Sequence, residues 1–581
     1  MPYHPVKKKI VRRLPTVPPE ASLTGLPPLL RRLYAARRVG SASELDRSLH
    51  RLPSPWLLSG MEAMVDQLEE ALRRQRRLLV IADYDADGAT ACAVAVRGLR
   101  ALGLEQVAYL VPNRFRFGYG LTPEIVALAA ERRPELLLTV DNGIAALDGA
   151  EAARARGMRL LITDHHTPGA ELPAAAAIVN PLLPGDPFPG KSLAGVGVMF
   201  YVLMALRQRL RQRGRFAGPG RAEPPLGPLL DLVALGTVAD VVSLDPINRI
   251  LVHQGLGRIR AGRGAPGLVA LLEAAGRKAG QATAADLGFA VGPRLNAAGR
   301  LDDMSLGIEC LLADDGEAAR SMAARLDALN RERQQLEERM KQQALAYLDA
   351  LEVPVGDRFA LCLFDEGWHQ GVIGLVASRV KDLTHRPVAV FAPDGEDGVK
   401  GSLRSIPGIH IRDLLSDLAT GHPRLIRRFG GHAMAAGLSL EREALPRFAE
   451  LFEAEAGRRL SPEDLEHAVH TDGALEEHEL NLAVAEQLRQ AGPWGQGFPE
   501  PLFDGEFQVL DSRVLGERHL KLRLRPVHGA RSFDAVAFGV AEPAAWRDLP
   551  ALRAAYRLEV NEYRESRAVQ LRLEYMEGLE G

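Results

Sequence analysis

The sequence predicts a multidomain α/β protein that ends in a small all-β domain. Three observations predict it: strand and helix patterns that alternate from about residue 60, a second, glycine-rich alternation at about 352–455, and five strand-like runs in the last 110 residues. Short apolar strands separated by helices indicate parallel βαβ units in an open sheet. Five strands in a domain of this size are typical of an OB-like barrel. A chain of 581 residues has room for three or four domains.

The first 60 residues are basic, with eleven Lys and Arg residues against three Asp and Glu residues. Frequent prolines predict a partly extended arm, and "PPLLRRLYAARR" predicts one helix. The net charge of −2 decides nothing about nucleic acid, because a carboxylate-rich site can mask a basic groove in the total.

Nothing in the sequence indicates a membrane or secreted protein. The N-terminus lacks the apolar run of a signal peptide. The longest apolar stretch, residues 193–206, is too short for a comfortable membrane span and predicts a buried helix. Only three widely spaced cysteines occur, which gives no disulfide framework, so we expect a reducing, cytoplasmic location. They are Cys92, Cys310 and Cys362.

The first α/β region alternates between four helical and four strand patterns. The helical patterns are "MEAMVDQLEEALRRQ", "ATACAVAVRGLRALG", "TPEIVALAAERR" and "ALDGAEAARARG". The strand patterns are "RLLVIADY", "QVAYLVPN", "ELLLTVDNG" and "MRLLITDHH". A Gly-, Pro- and Arg-rich segment at 208–228 predicts a loop or insertion.

The rest of the chain begins with a long helical pattern from about Glu317 to Leu351, without Pro or Gly, which predicts a rigid connector. The second α/β region contains "RFALCLF", "HRPVAVFA", "VKGSLRS" and "RRFGGHAMAAGLSL". The strand-like runs of the barrel are "EFQVLDSRVL", "RHLKLRLR", "SFDAVAFGV", "AYRLEVNEY" and "AVQLRLEYM". We expect five segments, with boundaries at 1–60, 61–315, 316–351, 352–460 and 461–581.

The stretch "DYDADG" places Asp83, Asp85 and Asp87 directly after an apolar strand. Carboxylates this close repel one another unless a cation, a proton or a base neutralises them. An EF-hand loop is excluded, because the twelfth position is Val94 and a strand precedes the loop. Two hypotheses remain at this point: a phosphatase in which Asp83 forms a covalent intermediate, and a hydrolytic metal cluster.

A metal cluster requires further ligands at other strand ends, and the sequence contains them. In open α/β sheets, sites form at the carboxyl ends of the strands. A single Asp after a strand is most often a turn or helix cap, but capping alone does not explain several acidic or histidine residues at equivalent ends. Asp and His ligands suit Mn²⁺ or Mg²⁺. The residues at these ends are Asp141, Asp164, His165, His166 and, after an apolar helix, Asp240.

In their order along the chain, "DYDADG", "VDNG", "DHH" and "GTVADVV" resemble the DHH phosphoesterase superfamily, and "GGHAMAAG" resembles its DHHA1 companion domain. Further elements are similar to those of the RecJ family of bacterial single-strand-specific 5′→3′ exonucleases: "VPNRFRFGYGLT", "LAGVGV", "GPRLNAAGR", "GWHQGVIGLVASR", "GSLRS" and "GPWGQGFPEPLF". The resemblance covers about residues 25–575. It implies a DHH domain at 61–315, a connector helix at 316–351, a DHHA1 domain at 352–460 and an OB-fold domain at 461–581.

The resemblance also implies roles for the clustered residues. Asp141 would bridge two divalent cations, Mn²⁺ or Mg²⁺, and Asp83 would be a ligand or a partner of the ligands. His166 would orient or protonate a phosphate oxygen near the attack. Hydroxide would attack phosphorus in line, so that no covalent intermediate on Asp83 is needed. The implied metal ligands are Asp85, Asp87, Asp141, His165 and Asp240.

Contacts to DNA are expected from the same motifs, which the resemblance arranges around a cleft between the two α/β domains. Arginine side chains and backbone N–H groups beside glycines can donate hydrogen bonds to a phosphate. A surface salt bridge is the alternative for any single arginine. The residues are Arg114, Arg294, Asn296, Arg300, His369, Ser402, Arg404, Gly431 and His432.

The barrel adds a basic stripe. In "HLKLRLR" the alternation predicts that Leu520, Leu522 and Leu524 point inward and that Lys521, Arg523 and Arg525 point outward. Such a stripe suits a single-strand backbone track, although an ordinary solvated strand face is the alternative. Trp368 and Trp494 are candidates for stacking on bases, and packing at a domain junction is the alternative for Trp494.

Together, the residues and the resemblance predict an enzyme of DNA recombination and repair. It would degrade single-stranded DNA 5′→3′ to mononucleotides, as a monomer, with single-strand-binding protein and other repair proteins as partners and no membrane. Polarity, the preference for DNA and the metal come from the resemblance alone. One alternative is a relative that cleaves short oligonucleotides or cyclic dinucleotides, against which the barrel and the basic arm argue. Another is a non-catalytic scaffold, which would have lost carboxylates that are present here.

Overall fold

A computed structural model describes residues 8–14, 23–112, 120–218, 222–349, 355–540, 542–546, 549–563 and 566–579. The chain forms two compact units. The N-terminal unit comprises Leu14–Asn330 and Glu486–Pro501. The C-terminal unit comprises Met1–Arg13, Arg331–Ala485 and Leu502–Gly581. Strand β1 (Lys8–Arg12) therefore belongs to the C-terminal unit, although it lies at the start of the chain.

The N-terminal unit contains a five-stranded sheet in the order β3-β2-β4-β5-β6, and every pair in it is parallel. The central strands β2 and β4 are buried along their whole length, as expected for a sheet with helices on both faces. The predicted open parallel sheet is confirmed. Its strands are β2 (Leu78–Ala82), β3 (Val107–Leu110), β4 (Leu136–Val140), β5 (Arg159–Thr163) and β6 (Ala177–Val179).

Helices of the N-terminal unit pack around this sheet. The apolar stretch at 193–206 lies in a largely buried helix, as predicted. The helices are α1 (Pro28–Ala35), α2 (Met61–Arg74), α3 (Ala86–Ala101), α4 (Pro123–Glu131), α5 (Leu147–Ala155), α6 (Gly195–Gln212), α7 (Leu230–Ala239), α8 (Pro246–Arg260), α9 (Pro266–Ala274), α10 (Ala284–Asp286), a π-helical turn (Leu287–Val291), α11 (Gly292–Leu301) and α12 (Ser305–Leu312). None of the helices among the described residues is long and apolar enough to cross a membrane.

The long predicted helix is present as α13 (Gly316–Asp349), and the boundary between the two units falls inside it, between Asn330 and Arg331. Next comes the second α/β sheet, in the order β10-β11-β9-β8-β7, in which only β7 and β8 pair in parallel. Its elements are β7 (Leu361–Phe364), α14 (Ile373–Thr384), β8 (Val388–Asp394), β9 (Gly398–Arg404), α15 (Ile411–Gly421), β10 (Arg428–Gly431), β11 (Ala435–Glu441) and α16 (Leu445–Arg459).

The last domain is a closed barrel with the strand order β13-β14-β15-β17-β16, which confirms the expected OB-like barrel. Before it, β12 (His467–Thr471) pairs in parallel with β1, and helix α17 spans Leu482–Ala491. Arg12 binds the buried carboxylate of Asp504 at 2.6 Å, which fastens β1 to the barrel. The barrel strands are β13 (Phe503–Leu515), β14 (His519–Pro526), β15 (Phe533–Ala537), β16 (Ala551–Tyr563) and β17 (Ser566–Gly578).

Candidate metal centre and nucleic-acid contacts

The predicted ligands meet at the carboxyl ends of three adjacent parallel strands. Asp83 follows β2, Asp141 follows β4, and His165 follows β5 after Asp164. Asp240 ends helix α7 on the same side of the sheet, since His165 Nε2 is 3.6 Å from its Oδ2 atom. Parallel strands end at one edge of a sheet, so four separate stretches of sequence supply one cluster.

Asp85 and Asp87 are placed by two helix N-termini. Helix α3 begins at Ala86, so Asp85 is its N-cap, and its Oδ1 atom accepts a hydrogen bond from Gly88 N at 2.9 Å. Asp87 lies in the first turn, and its oxygens accept hydrogen bonds from Gly195 N (2.6 Å) and Val196 N (3.0 Å) at the start of α6. Even so, burial and the nearby Asp85 carboxylate raise the pKa of Asp87 to about 7.

Asp141 is held in an uncommon backbone conformation, with φ of +62°, and is only 1% exposed. Its neighbour Asn142 donates from Nδ2 to Ile81 O at 3.1 Å and to Val140 O at 2.9 Å, which ties the ends of β2 and β4 together. Helix α6 approaches so closely that a methyl group at Gly195 would lie 2.5 Å from Asp141 Cβ. A glycine is therefore required at this point of "LAGVGV".

His165 lies at the centre of the cluster. Its Nε2 atom is 3.0 Å from Asp141 Oδ1, 3.6 Å from Asp240 Oδ2 and 3.9 Å from Asp87 Oδ2. Among the described residues, three sets of three residues have ligand atoms within 4.8 Å of one another. One set is Asp83, Asp85 and Asp141, and a second is Asp87, His165 and Asp240. A third set, which overlaps the others, is Asp141, His165 and His166.

The charge balance of the cluster fits divalent cations. Burial, followed by repulsion from Asp87 and Asp85, raises the pKa of Asp141 well above its usual range. Burial and the same two neighbours also raise the pKa of Asp240. Carboxylates crowded out of water in this way are stabilised by a cation that neutralises them. Oxygen donors with one imidazole are the set that Mn²⁺ and Mg²⁺ accept.

Asp164 is one of the candidate ligands at the strand ends, but the family resemblance gives it no role, and its contacts supply one. It is buried, and its Oδ1 atom accepts hydrogen bonds from His165 N (2.7 Å), His166 N (3.1 Å) and His166 Nδ1 (2.7 Å). Its Oδ2 atom accepts from Ile144 N at 2.8 Å. Burial opposes the charge of Asp164, but the charge and hydrogen bonds of His166 and the hydrogen bond from Ile144 N together outweigh burial and lower the pKa of Asp164. Asp164 thus orients both histidines, a role that residue order alone does not reveal.

Three family models match the chain: the DHH family N-terminal domain at 77–237, the DHHA1 domain at 356–458 and the RecJ OB domain at 471–575. The chain is 52% identical to the single-stranded-DNA-specific exonuclease RecJ of Dickeya dadantii over 573 residues, 97% of this chain and 98% of that protein. The chain belongs to the RecJ family.

Solved structures of RecJ from Thermus thermophilus resemble this fold. The complex with Mn²⁺ has a TM-score of 0.79 at 33% identity and covers 95% of this chain and 76% of that one. The complex with Mg²⁺ has a TM-score of 0.72 at 31% identity, with 95% and 75% covered. The cations in these relatives agree with the donor set found here.

Helix α11 of this RecJ-family chain supports the metal-ligand loop. Asn296 Oδ1 accepts a hydrogen bond from Ala86 N at 2.7 Å, and a methyl group at Gly299 would lie 1.9 Å from Tyr84 O. Arg294 forms an ion pair of 2.8 Å with the buried carboxylate of Asp327. Asn296 and Arg294 therefore have structural contacts, and their predicted DNA contacts stay predictions. Arg300 is partly exposed in the last turn of α11, whereas Arg114 lies outside the described residues.

In the C-terminal unit, Ser402 and Arg404 form one polar group on strand β9. Arg404 Nη1 donates to Ser402 Oγ at 3.1 Å, and Arg404 Nε donates to Ser378 Oγ at 3.1 Å. Burial lowers the pKa of Arg404, and no carboxylate is among the causes of that shift. His369 is exposed, and its Nδ1 atom accepts a hydrogen bond from Gly371 N at 3.1 Å. A partly buried guanidinium held by hydroxyls is suited to an anion such as phosphate.

Gly431 ends strand β10, where a methyl group would lie 2.4 Å from Ala435 O. The backbone N–H of His432 donates to the same Ala435 oxygen at 2.8 Å. This hydrogen bond engages the amide that was a candidate phosphate donor. The DNA contacts expected at Gly431 and His432 stay predictions.

On barrel strand β14 the predicted alternation is confirmed: the three leucines are buried, Lys521 and Arg523 are exposed, and Arg525 is partly exposed. Asp534 lies 2.7 Å from Arg523 and 3.8 Å from Lys521, so it offsets part of their charge. Trp368 is only 6% exposed and is a core residue. Trp494 stacks on Phe498, with ring centroids 5.1 Å apart, within the N-terminal unit.

Proposed function

We propose that the chain is a single-stranded-DNA-specific exonuclease that degrades DNA 5′→3′ to mononucleotides in recombination and repair. The observation that carries this proposal is the cluster of buried carboxylates with His165 at its centre, in a chain 52% identical to a single-stranded-DNA-specific exonuclease. It is a metal-dependent phosphodiester hydrolase.

The fold itself positions the carboxylates that would hold the cations. Asp83, Asp85 and Asp141 would hold one cation, and Asp87, His165 and Asp240 would hold a second. Asp141 Oδ1 of the first set lies 3.0 Å from His165 Nε2 of the second. Divalent cations held there would lower the pKa of a water molecule and neutralise charge on the phosphodiester. Because Asp141 and Asp87 are fixed by the sheet and by α6, these ligands do not have to reorganise on binding.

His166 is suited to proton exchange with the substrate. Its Nδ1 atom contacts Asp164 at 2.7 Å, so a proton would pass to or from the DNA at Nε2. Burial lowers the pKa of His166, but Asp164, Asp83 and Asp85 outweigh burial and raise it. The raised pKa increases the protonated fraction of His166 at any given pH. The protonated form would donate a proton to a phosphate oxygen or to the leaving group.

The remaining predicted residues would hold the strand. Arg404 and Ser402 together are suited to binding a phosphate. The other motif residues of the same unit that would contact the strand are His369, Gly431 and His432. Lys521 and Arg523 would follow the backbone on the barrel surface. In this proposal the segments 61–315, 352–460 and 461–581 act as the DHH, DHHA1 and OB-fold domains, joined by the helix at 316–351.

The proposal extends to the cellular setting. We infer a monomer that works in the cytoplasm with single-strand-binding protein and other repair proteins. The support for the cytoplasm is the three free cysteines, of which Cys92 and Cys310 are buried.

The experiment that tests the function uses single-stranded DNA labelled at the 5′ or the 3′ end, with Mn²⁺ or Mg²⁺. Duplex DNA and a dinucleotide are run beside it. Early release of the 5′ label as mononucleotide, with the duplex intact, is expected. Early release of the 3′ label would show 3′→5′ degradation and contradict the proposed polarity. Cleavage of the dinucleotide alone would favour the alternative, a phosphodiesterase for short oligonucleotides or cyclic dinucleotides.

A further inference from the structure

The π-helical turn Leu287–Val291 carries a large apolar side chain that faces solvent. Phe289 is 87% exposed, whereas Leu287 and Val291, on either side of it, are fully buried. A phenylalanine on the surface leaves a wide apolar face in water, at a cost in free energy. Isolated π-turns inside helical segments frequently occur at functional sites. Its exposure together with the π-turn makes Phe289 a candidate for contact with a ligand.

Phe289 lies on the face of the helix that supports the metal-ligand loop. Residues 289, 293, 296 and 300 follow the spacing of one helical face, and all four are at least partly exposed. Asn296, on that face, accepts the hydrogen bond from Ala86 N between Asp85 and Asp87. At a rise of about 1.5 Å per residue, Phe289 lies roughly 10 Å along the helix from Asn296. Arg300 continues the face beyond it.

The same turn packs on the end of helix α7 that carries Asp240. A methyl group at Gly288 would lie 3.0 Å from Val238 Cγ1, and one at Gly292 would lie 3.2 Å from Ala239 Cβ. Val241, directly after Asp240, has a φ of +62° and is 63% exposed. A β-branched residue rarely adopts this conformation, and such strain clusters at functional sites. Two exposed apolar side chains thus flank the elements that carry the ligands.

We propose that Phe289 stacks on a nucleobase of the single strand being hydrolysed, with Val241 as a second apolar contact beside Asp240. This inference rests on the proposed function and adds a base contact to it. Unpaired bases offer an open face to an aromatic ring, whatever their sequence. In a duplex the bases are stacked on one another, so the contact also favours single strands. Arg300, on the same helical face, is suited to the adjoining phosphate.

The test compares Phe289→Ala and Phe289→Trp with the wild type on single-stranded DNA, with and without one abasic position moved along the strand. Phe289→Ala should lower kcat/KM about ten-fold, mainly through KM, and Phe289→Trp should restore it. An abasic site at the contacted position should lower the kcat/KM of the wild type about ten-fold as well. The same abasic site should leave the kcat/KM of Phe289→Ala unchanged. Leu57→Ala is the control, because Leu57 is also exposed, at 40%, in the same unit.

A second readout separates this inference from the function. A strand with phosphorothioate linkages at its 5′ end and 2-aminopurine at the contacted position should lose fluorescence on binding to the wild type and keep it with Phe289→Ala. Equal quenching by both proteins, or an equal loss of activity at every abasic position, would overturn the stacking role while hydrolysis stands. If quenching depends on Phe289 but unmodified single-stranded DNA is not hydrolysed, the proposed exonuclease activity is wrong and the base contact stands.

Discussion

Replacing Gly195 by alanine should disable the metal centre without unfolding the protein. The new methyl group would lie 2.5 Å from Asp141 Cβ and 2.6 Å from Asp141 Oδ1. Unstrained carbon atoms approach to about 3.5 Å, so one group must move by about 1 Å. Asp141 is 1% exposed and cannot swing into solvent. A displacement of about 1 Å at reacting groups costs roughly 100-fold in rate, and overpacking costs about 1–3 kcal/mol of stability.

The assay measures the release of nucleotides from single-stranded DNA in Mn²⁺, with thermal unfolding recorded on the same samples. Gly197→Ala is the matched control on α6, because its methyl group would lie 3.2 Å from the end of the flexible Leu193 side chain. We expect Gly195→Ala to lose activity about 100-fold and to unfold cooperatively, while Gly197→Ala stays within about three-fold of the wild type. Wild-type activity in Gly195→Ala, or an equal loss in both variants, would refute the role given to this close approach.

Three further outcomes follow from the charges in the cluster. In the metal-free protein, Asp87, Asp141 and Asp240 have raised pKa values, so between pH 4 and 7 the folded state binds more protons than the unfolded state. The free energy of unfolding should therefore rise as the pH falls from 8 to 5, by up to about 1.4 kcal/mol per pH unit for each extra proton, and Mn²⁺ should abolish this trend in calorimetry. Asp141→Asn should raise the melting temperature of the metal-free protein at pH 8 and abolish hydrolysis; a lower melting temperature would contradict the repulsion. Asp164→Asn should lower kcat about 100-fold and leave the Kd for single-stranded DNA unchanged, because His166 loses the carboxylate that orients it; an unchanged kcat would remove His166 from proton transfer.

The sequence predicted that most of the candidate metal ligands lie together, because they follow buried strands. Asp83 and Asp141 come directly after five-residue strands that are buried throughout, and parallel strands end at the same edge of the sheet. Local patterns also located the helices, although α3 begins at Ala86 rather than at Ala89. The N-cap at Asp85 explains the earlier start, and it places Asp87 inside the first turn.

The contacts that sequence could not predict are those between distant segments. The pairing of β1 with β12 joins Lys8 to His467, and no local pattern indicates a partner so far along the chain. Strand β6 has only three residues, too few for a periodic signal. The ion pair between Arg294 and Asp327 depends on how α11 meets α13. The sequence offered a DNA contact or a surface salt bridge for Arg294, but it could not identify Asp327 as the partner.

The anomalous scattering of Mn²⁺ in crystals of the wild type and of Asp141→Ala tests the metal cluster most directly. Two peaks are expected in the wild type, one among Asp83, Asp85 and Asp141 and one among Asp87, His165 and Asp240. At least one peak should be lost in Asp141→Ala, together with hydrolysis of single-stranded DNA. Absence of Mn²⁺ from both sets in crystals of an active wild-type enzyme, or full activity in Asp141→Ala, would contradict the claim that this cluster is the hydrolytic centre.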